Sequence, residues 1–298
     1  MNANPARMFF CGSIPLEHEV DVFKALAELG GERLRRVPDG ELGDRKMWVI
    51  GQYAVLAASA ALEFGPFPAD GLTRRTCYQI PLRLRAGKTG DDVVFSGLGY
   101  ARHASSSYGL FREMKKAGKI PAHWRLQVNL PTPSDVMPMI DASSKAAAEM
   151  AYRRALLAEL EEIQRQIPHS ELAITWDVVH AVLTWEDPGN KYITQFFADP
   201  KNDFLRSLVE LGSAVARRCR ARLPSLLRQP GSQACTRAAR LDSVRLHQQC
   251  GCGEACPAHR LRAHAGSARA LRRRLFQAVG GARSPADRRG VSRTCSLY

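Results

Sequence analysis

Apolar residues in the first 214 positions follow two alternating patterns. Short apolar runs predict strands, and these lie at 8–11, 34–37, 78–84, 125–130 and 172–176. Longer stretches in which apolar residues recur every three or four positions predict helices, and these lie at 20–29, 45–62, 108–117, 144–166 and 203–211. In the longest helix, the residues expected to face inward are Ala147, Met150, Leu157, Leu160 and Ile163.

The alternation of strand and helix predicts a fold class. Polar or Gly/Pro-rich segments follow the strands, which is typical of a parallel α/β fold. A (β/α)8 barrel of the TIM type needs about 250 residues. We therefore expect 1–214 to form an incomplete barrel of this type.

The composition changes abruptly near residue 215. Residues 1–214 hold 9 Lys, 16 Arg and 26 Asp plus Glu, a net charge of −1, whereas 215–298 hold 18 Arg, no Lys and 3 acids, a net charge of +15. The second part also has only 14 Leu, Ile, Val or Phe. Because so little apolar surface cannot offset chain entropy, we predict that 215–298 form a disordered basic tail.

Two explanations of this tail remain open. It is either a basic arm that binds polyanions or an out-of-frame translation of a GC-rich gene, which yields many Arg and Cys and few Lys. With freely chosen codons, a frame moved forward by one nucleotide lets 219–234 be translated as VELGYHLCYGNLGAKH and 262–279 as VHMPVPRERSDDAYFKPL. Both strings are typical of buried strands and loops, which favours the frame shift. The arginine runs then imply non-specific polyanion binding and no specific nucleic-acid partner.

Cysteine usage and hydropathy bear on the compartment. The first part has two distant cysteines, Cys11 and Cys77, and no signal peptide or membrane-length apolar run. We therefore expect a cytoplasmic protein without a membrane partner.

The tail places Cys250, Cys252, Cys256 and His259 close together. Their spacing is not that of a common zinc site, so we predict adventitious metal binding at most.

Chemistry in a parallel α/β fold lies at the carboxyl ends of the strands. Three loops there carry candidates, namely Gly12-Ser13, Asp39-Gly40-Glu41 and Asp177. Backbone N–H groups beside a glycine bind a carboxylate, and two acids bind an ammonium group, so together they suit an amino acid. The alternative is purely structural, because Ser and Asp also cap helices and form turns.

The ordered motifs of this part resemble a known family. FCGSIP at 10–15, DGE at 39–41 with Arg45 and MWV following, LPTP at 130–133 and TWD at 175–177 resemble the catalytic barrel of cobalamin-independent methionine synthase. The similarity is greatest to its single-barrel relatives, in the superfamily shared with uroporphyrinogen decarboxylase. It covers residues 1 to about 214.

The resemblance implies a zinc-dependent methyltransferase that transfers a methyl group from a folate-type donor to a thiol such as homocysteine. Zinc would lower the thiol pKa and so generate the nucleophile. The backbone at Cys11 and the Ser13 side chain would meet the substrate carboxylate, while Glu41 and Asp177 would meet its amino group. No catalytic residue is assigned.

The chain also departs from the family. The His-x-Cys zinc ligands fall on 224–226, where the sequence is Pro-Ser-Leu, so the chain is expected to lack the metal site and to be inactive. Asp177 is followed by 178–180, Val-Val-His, instead of Glu-Pro, which points away from homocysteine. His180 is expected to be hydrogen-bonded or solvated rather than catalytic, and Cys11 to be a small buried residue rather than a nucleophile. The alternatives are a decarboxylase-like enzyme without zinc and a non-enzymatic remnant with a polyanion-binding tail.

Overall fold

A computed structural model describes residues 8–73, 76–180, 199–219 and 244–245. Its strands are β1 Arg36–Pro38, β2 Leu62–Phe64, β3 Leu82–Leu84, β4 Arg125–Pro131, β5 Leu172–Asp177 and β6 Val244–Arg245. Its helices are α1 Glu19–Gly30, α2 Tyr53–Ala57, α3 Tyr100–Lys116, α4 Pro133–Val136, α5 Lys145–Gln166 and α6 Pro200–Ala214. A 3-10 helix, Gly43–Gln52, leads into α2.

The main sheet is parallel and follows the order β1-β4-β5-β6. Val37 pairs with Leu126 on β4, and Asn129 on β4 pairs with Thr175 on β5. All six residues of β5 are buried, as expected for a strand covered on both faces. The predicted mixed α/β class with parallel strands is therefore confirmed, whereas the described residues do not form a complete barrel.

The predicted first strand at 8–11 is wrong. Residues 8–11 form no strand, and a single parallel bridge joins Ser13, just beyond this segment, to Gly40. The carbonyls of Phe10 and Cys11 instead accept the side-chain Nε2 of Gln127. Side chains from β4 thus take the place of a backbone partner.

The segment between β1 and β4 also differs from the prediction. Within the helix predicted at 45–62, residues 45–52 belong to the 3-10 helix and 53–57 to α2, which ends at Ala57. The strand predicted at 78–84 is shortened to β3, which pairs with β2 in an antiparallel hairpin. This hairpin interrupts the strict alternation of parallel strand and helix.

The helices cover the sheet with aromatic and aliphatic side chains. The rings of Phe23 on α1 and Phe111 on α3 meet edge to face, with centroids 5.4 Å apart. Tyr152, Leu160 and Ile163 on α5 are buried. The expectation that Met150 faces inward is wrong, because 53% of its surface is exposed. The buried face of α5 is formed instead by Ala148, Ala151, Tyr152 and Leu156.

The amino terminus of α3 is capped by a side chain from another helix. The Glu159 carboxylate on α5 accepts the backbone N–H groups of Leu98 (2.7 Å), Gly99 (3.0 Å) and Ala101. An anion suits this end of the helix because three of its N–H groups have no partner within the helix. Glu159 therefore fixes α3 against α5.

The described residues continue for five positions past the predicted domain boundary at 214. Val215 and Cys219 are buried, and the Cys219 carbonyl accepts the backbone N–H of Ile174 at 3.2 Å. The Arg218 carbonyl accepts Nη1 of Arg125. The expectation of a structureless tail is therefore wrong for 215–219. The remainder of the tail, apart from β6, lies outside the described residues.

Across the described part of the chain, every helix is too short or too polar to cross a membrane.

Replacing Glu159 by alanine is expected to lower the free energy of unfolding by about 2 kcal/mol, because three backbone N–H groups lose a charged acceptor. Chemical denaturation monitored by circular dichroism measures this change. Glu161→Ala, an exposed carboxylate on the same helix, is the matched control and should stay within about 0.5 kcal/mol of the unsubstituted chain. Equal effects of the two substitutions would contradict the capping role.

Candidate functional site

The turn after β1 places Glu41 at the carboxyl end of the sheet. Gly40 has φ +94°, and Glu41 itself has φ +53°, in the left-handed region. This conformation costs a non-glycine residue about 1–2 kcal/mol. The backbone N–H of Glu41 donates to Oδ1 of Asp39 at 3.1 Å, which closes an Asx-type turn and helps to hold it.

Asp39 has a structural role, as the alternative interpretation of its motif predicts. Its Oδ2 accepts Nη1 of Arg45 at 2.8 Å and the hydroxyl of Ser107 at 2.6 Å. Asp39 is 7% exposed, so its charge requires these partners. The carboxylate therefore ties the turn to the 3-10 helix and to α3.

The Glu41 carboxylate is held from two sides. Its Oε2 accepts the hydroxyl of Ser13, and its Oε1 accepts Nδ2 of Asn129 at 3.0 Å. A Cβ atom added at Gly12 would lie 2.3 Å from both Oε1 of Glu41 and Nδ2 of Asn129. A glycine at position 12 is therefore what allows this carboxylate to approach the backbone.

Two amides on β4 complete the arrangement. The Cys11 carbonyl accepts Nδ2 of Asn129 at 2.9 Å and also Nε2 of Gln127. Gln127 in turn donates to Oδ1 of Asn129 at 3.0 Å. Neither amide was predicted from the sequence. A signal was present, because residues 126–130 are Leu-Gln-Val-Asn-Leu, and polar residues at alternate positions of an apolar strand indicate that one face of the strand is polar.

Asp177 ends β5 and is 9% exposed. It pairs with Pro131 at the end of β4, and its carbonyl accepts the backbone N–H of Thr132 at 3.1 Å. With Glu41 it lines a cavity of about 260 Å³. The other lining residues are Asp39, Asp44, Arg45, Gly51, Gln52, Val55, Leu98, Tyr100, Arg102, His103, Ala104, Gln127, Val128, Asn129 and Pro131.

The structure separates the four predicted substrate-binding residues into two pairs. Glu41 and Asp177 line the cavity, whereas Cys11 and Ser13 are not among its described lining residues. The Ser13 hydroxyl donates to Glu41, and the Cys11 carbonyl accepts β4 amides. In this arrangement Ser13 and Cys11 orient Glu41.

The cavity is negatively charged. Among the described residues, its lining carries the carboxylates of Asp39, Glu41, Asp44 and Asp177 and the guanidinium groups of Arg45 and Arg102. Burial, followed by the charges of Arg45 and Arg102, lowers the pKa of His103, so this side chain is neutral at pH 7. A formal charge of −2 favours a cationic group inside.

Gln127 holds a buried acceptor beside the cavity. It is a lining residue and is 2% exposed, and its Oε1 is buried without a hydrogen-bond partner. An unpaired buried acceptor costs about 1–3 kcal/mol. The carboxylates of the lining make the cavity suited to a hydrogen-bond donor that carries positive charge.

The loop after β5 is held by a second buried carboxylate. Asp135, with no exposed surface, accepts the backbone N–H groups of Val179 (3.0 Å) and His180 (2.7 Å) through Oδ1. The same oxygen lies 3.3 Å from Nδ1 of His180. The expectation that His180 is hydrogen-bonded is confirmed, and Asp135 fixes the path of the chain immediately after Asp177.

The three cysteines of the described residues differ in exposure. Cys11 is exposed, so the expectation of a buried residue is wrong. Cys77 and Cys219 are buried, and desolvation raises the pKa of each thiol to about 11. Within the described ranges no three His, Cys, Asp or Glu side chains cluster as metal ligands. Positions 224–226 and the cysteine-rich segment at 250–259 lie outside those ranges.

Comparisons of this chain with protein-family models, with curated proteins and with solved structures find no match.

Substituting alanine for Gly12 is expected to destabilise the protein by about 1–3 kcal/mol, because the new methyl group would overlap Glu41 and Asn129. The measurement is urea denaturation of the purified chain. Gly109→Ala is the matched control, since a Cβ at this position in α3 meets no atom within 4 Å. The control should gain about 0.5–1 kcal/mol from the higher helix propensity of alanine. A Gly12→Ala protein as stable as the control would rule out the close approach.

Proposed function

We propose that this protein binds a small amino-acid-like molecule at the carboxyl end of its parallel sheet, with the ammonium group of the ligand against Glu41 and Asp177. The observation that carries the proposal is that these two carboxylates, which come from different strands, line one small cavity of net negative charge. The motif resemblance assigns the same two residues to an amino group, independently of the cavity.

The size and the polarity of the cavity support this ligand class. Pockets for drug-sized ligands occupy roughly 300–1,000 Å³, so a cavity of about 260 Å³ favours an amino acid over a porphyrin. Each oxygen of Glu41 receives one hydrogen bond within the protein and keeps a second lone pair for a ligand. The strained turn and its partners hold this carboxylate in place before the ligand arrives.

We further propose that the parent of this chain is a cytoplasmic zinc-dependent methyltransferase using a folate-type donor, and that the present chain does not transfer methyl groups. Zinc would bind the thiol of the substrate as thiolate. The residues expected to hold it are replaced at 224–226, so the chain retains an amine subsite without the ligands that would activate sulfur. Coding DNA whose alternate frame lacks the His-x-Cys sequence would count against this origin.

Isothermal titration calorimetry with L-methionine tests the amine subsite. Glu41→Gln and Asp177→Asn should each weaken binding about ten- to a hundredfold, because each removes a charged acceptor worth about 1.5–3 kcal/mol. Asp70→Asn, at an exposed position away from the cavity, is the matched control and should leave the affinity unchanged.

Two results would argue against the assignment. If L-methionine does not bind the intact chain, the proposed ligand class is wrong. If Asp70→Asn weakens binding as much as Glu41→Gln, the effect is one of overall charge and not of a site.

A further inference from the structure

Tyr100 lines the cavity and begins a chain of three hydrogen bonds that passes through Gln52 and ends at Leu98, two other residues of the lining. The Tyr100 hydroxyl lies 3.0 Å from the Tyr152 hydroxyl, and the Tyr152 hydroxyl lies 3.4 Å from Oε1 of Gln52. Nε2 of Gln52 donates to the Leu98 carbonyl at 3.1 Å. These groups connect the cavity to the segment that Glu159 holds at the start of α3.

The direction of the protons along this chain follows from its far end. A backbone carbonyl can only accept, so the Gln52 amide must present its NH₂ group to Leu98 and its oxygen to Tyr152. Tyr152 therefore donates to Gln52. Its oxygen is left to accept the proton of Tyr100, and this arrangement satisfies both hydroxyl protons.

Tyr100 consequently presents an acceptor to the cavity and not a donor. Burial raises the pKa of Tyr100, and the nearby charges of Glu159, Asp177 and Glu41 raise it further, whereas the hydrogen bond with Tyr152 lowers it. The net rise keeps the phenol protonated at neutral pH. Its single proton points to Tyr152, so its oxygen can only accept a hydrogen bond from a ligand. The carboxylates of Glu41 and Asp177 are also acceptors in the lining.

We propose that Tyr100 is a specificity-determining residue: its oxygen, kept as an acceptor by Tyr152 and Gln52, selects ligands with a primary ammonium group. The inference rests on the proposed amine-binding function. A primary ammonium carries three N–H donors, which match Glu41, Asp177 and Tyr100. An amine whose nitrogen carries two methyl groups keeps its positive charge but has a single N–H donor. This N–H bonds to the carboxylate of Glu41 or Asp177 in preference to the neutral phenol of Tyr100.

The test compares two probes, L-methionine and N,N-dimethyl-L-methionine, by calorimetry on the full chain. Tyr100→Phe should weaken L-methionine binding about tenfold, the effect of one hydrogen bond to a charged group. The same substitution should change the affinity for the dimethyl probe by less than about twofold, because that probe has no donor left for Tyr100. Tyr108→Phe, the same chemical change on the same helix at a hydroxyl bonded to Glu171, is the control and should change neither affinity.

Tyr152→Phe tests the direction of the chain. Without Tyr152 the Tyr100 proton has lost its acceptor and can turn toward Glu41, so L-methionine binding should weaken about three- to tenfold. If Tyr152→Phe has no effect while Tyr100→Phe does, the proposed orientation is wrong.

The remaining outcomes separate this inference from the proposed function. If Glu41→Gln weakens L-methionine binding and Tyr100→Phe does not, the role of Tyr100 is overturned while the amine subsite stands. If Tyr100→Phe weakens both probes equally, the residue acts through packing, and selection by donors is overturned. If the intact chain binds neither probe, both proposals fall.

Discussion

The Asn129 side-chain amide joins three parts of the chain that are distant in sequence. From the middle of β4, its Nδ2 donates both to the Cys11 carbonyl and to the Glu41 carboxylate. The amino-terminal segment has a single backbone bridge to the sheet, so hydrogen bonds from the side-chain amides of β4 are a large part of its attachment to the sheet. The position of Glu41, and with it the shape of the cavity, depends on this amide.

The energies of the turn show why such an anchor is needed. A left-handed Glu41 costs about 1–2 kcal/mol, and each neutral hydrogen bond returns about 0.5–1.5 kcal/mol, with about 1.5–3 kcal/mol where a charge takes part. The bonds from Asn129 and Ser13 to the carboxylate therefore suffice to hold the strained turn. Strain of this kind is typical of positions where geometry serves a ligand.

The sequence predicted the elements whose periodicity is strong. The bounds of strands β4 and β5 and of helix α5 lie within one or two residues of the prediction. A long apolar pattern indicates its element clearly, because only one type of secondary structure places all of its apolar side chains on the buried side. The β2–β3 hairpin and the 3-10 helix were not predicted, since short elements are decided by tertiary contacts that no local pattern encodes. For the site, the loops carrying Ser13, Glu41 and Asp177 were identified, but the mutual contacts of Ser13 and Glu41 were not. The hydrogen bond from Ser13 to Glu41 depends on the turn geometry, which a list of polar loop residues does not contain.

A double-mutant cycle between Asn129→Ala and Glu41→Ala, measured as free energies of unfolding, tests directly whether the β4 amide holds the site carboxylate. The structure predicts a coupling energy of about 1.5–3 kcal/mol, because the pair is a hydrogen bond of 3.0 Å to a charged group. A parallel cycle of Asn129→Ala with Glu63→Ala on β2, whose carboxylate bonds to Arg83, should give additive effects. A coupling below about 0.5 kcal/mol between Asn129 and Glu41 would contradict the account.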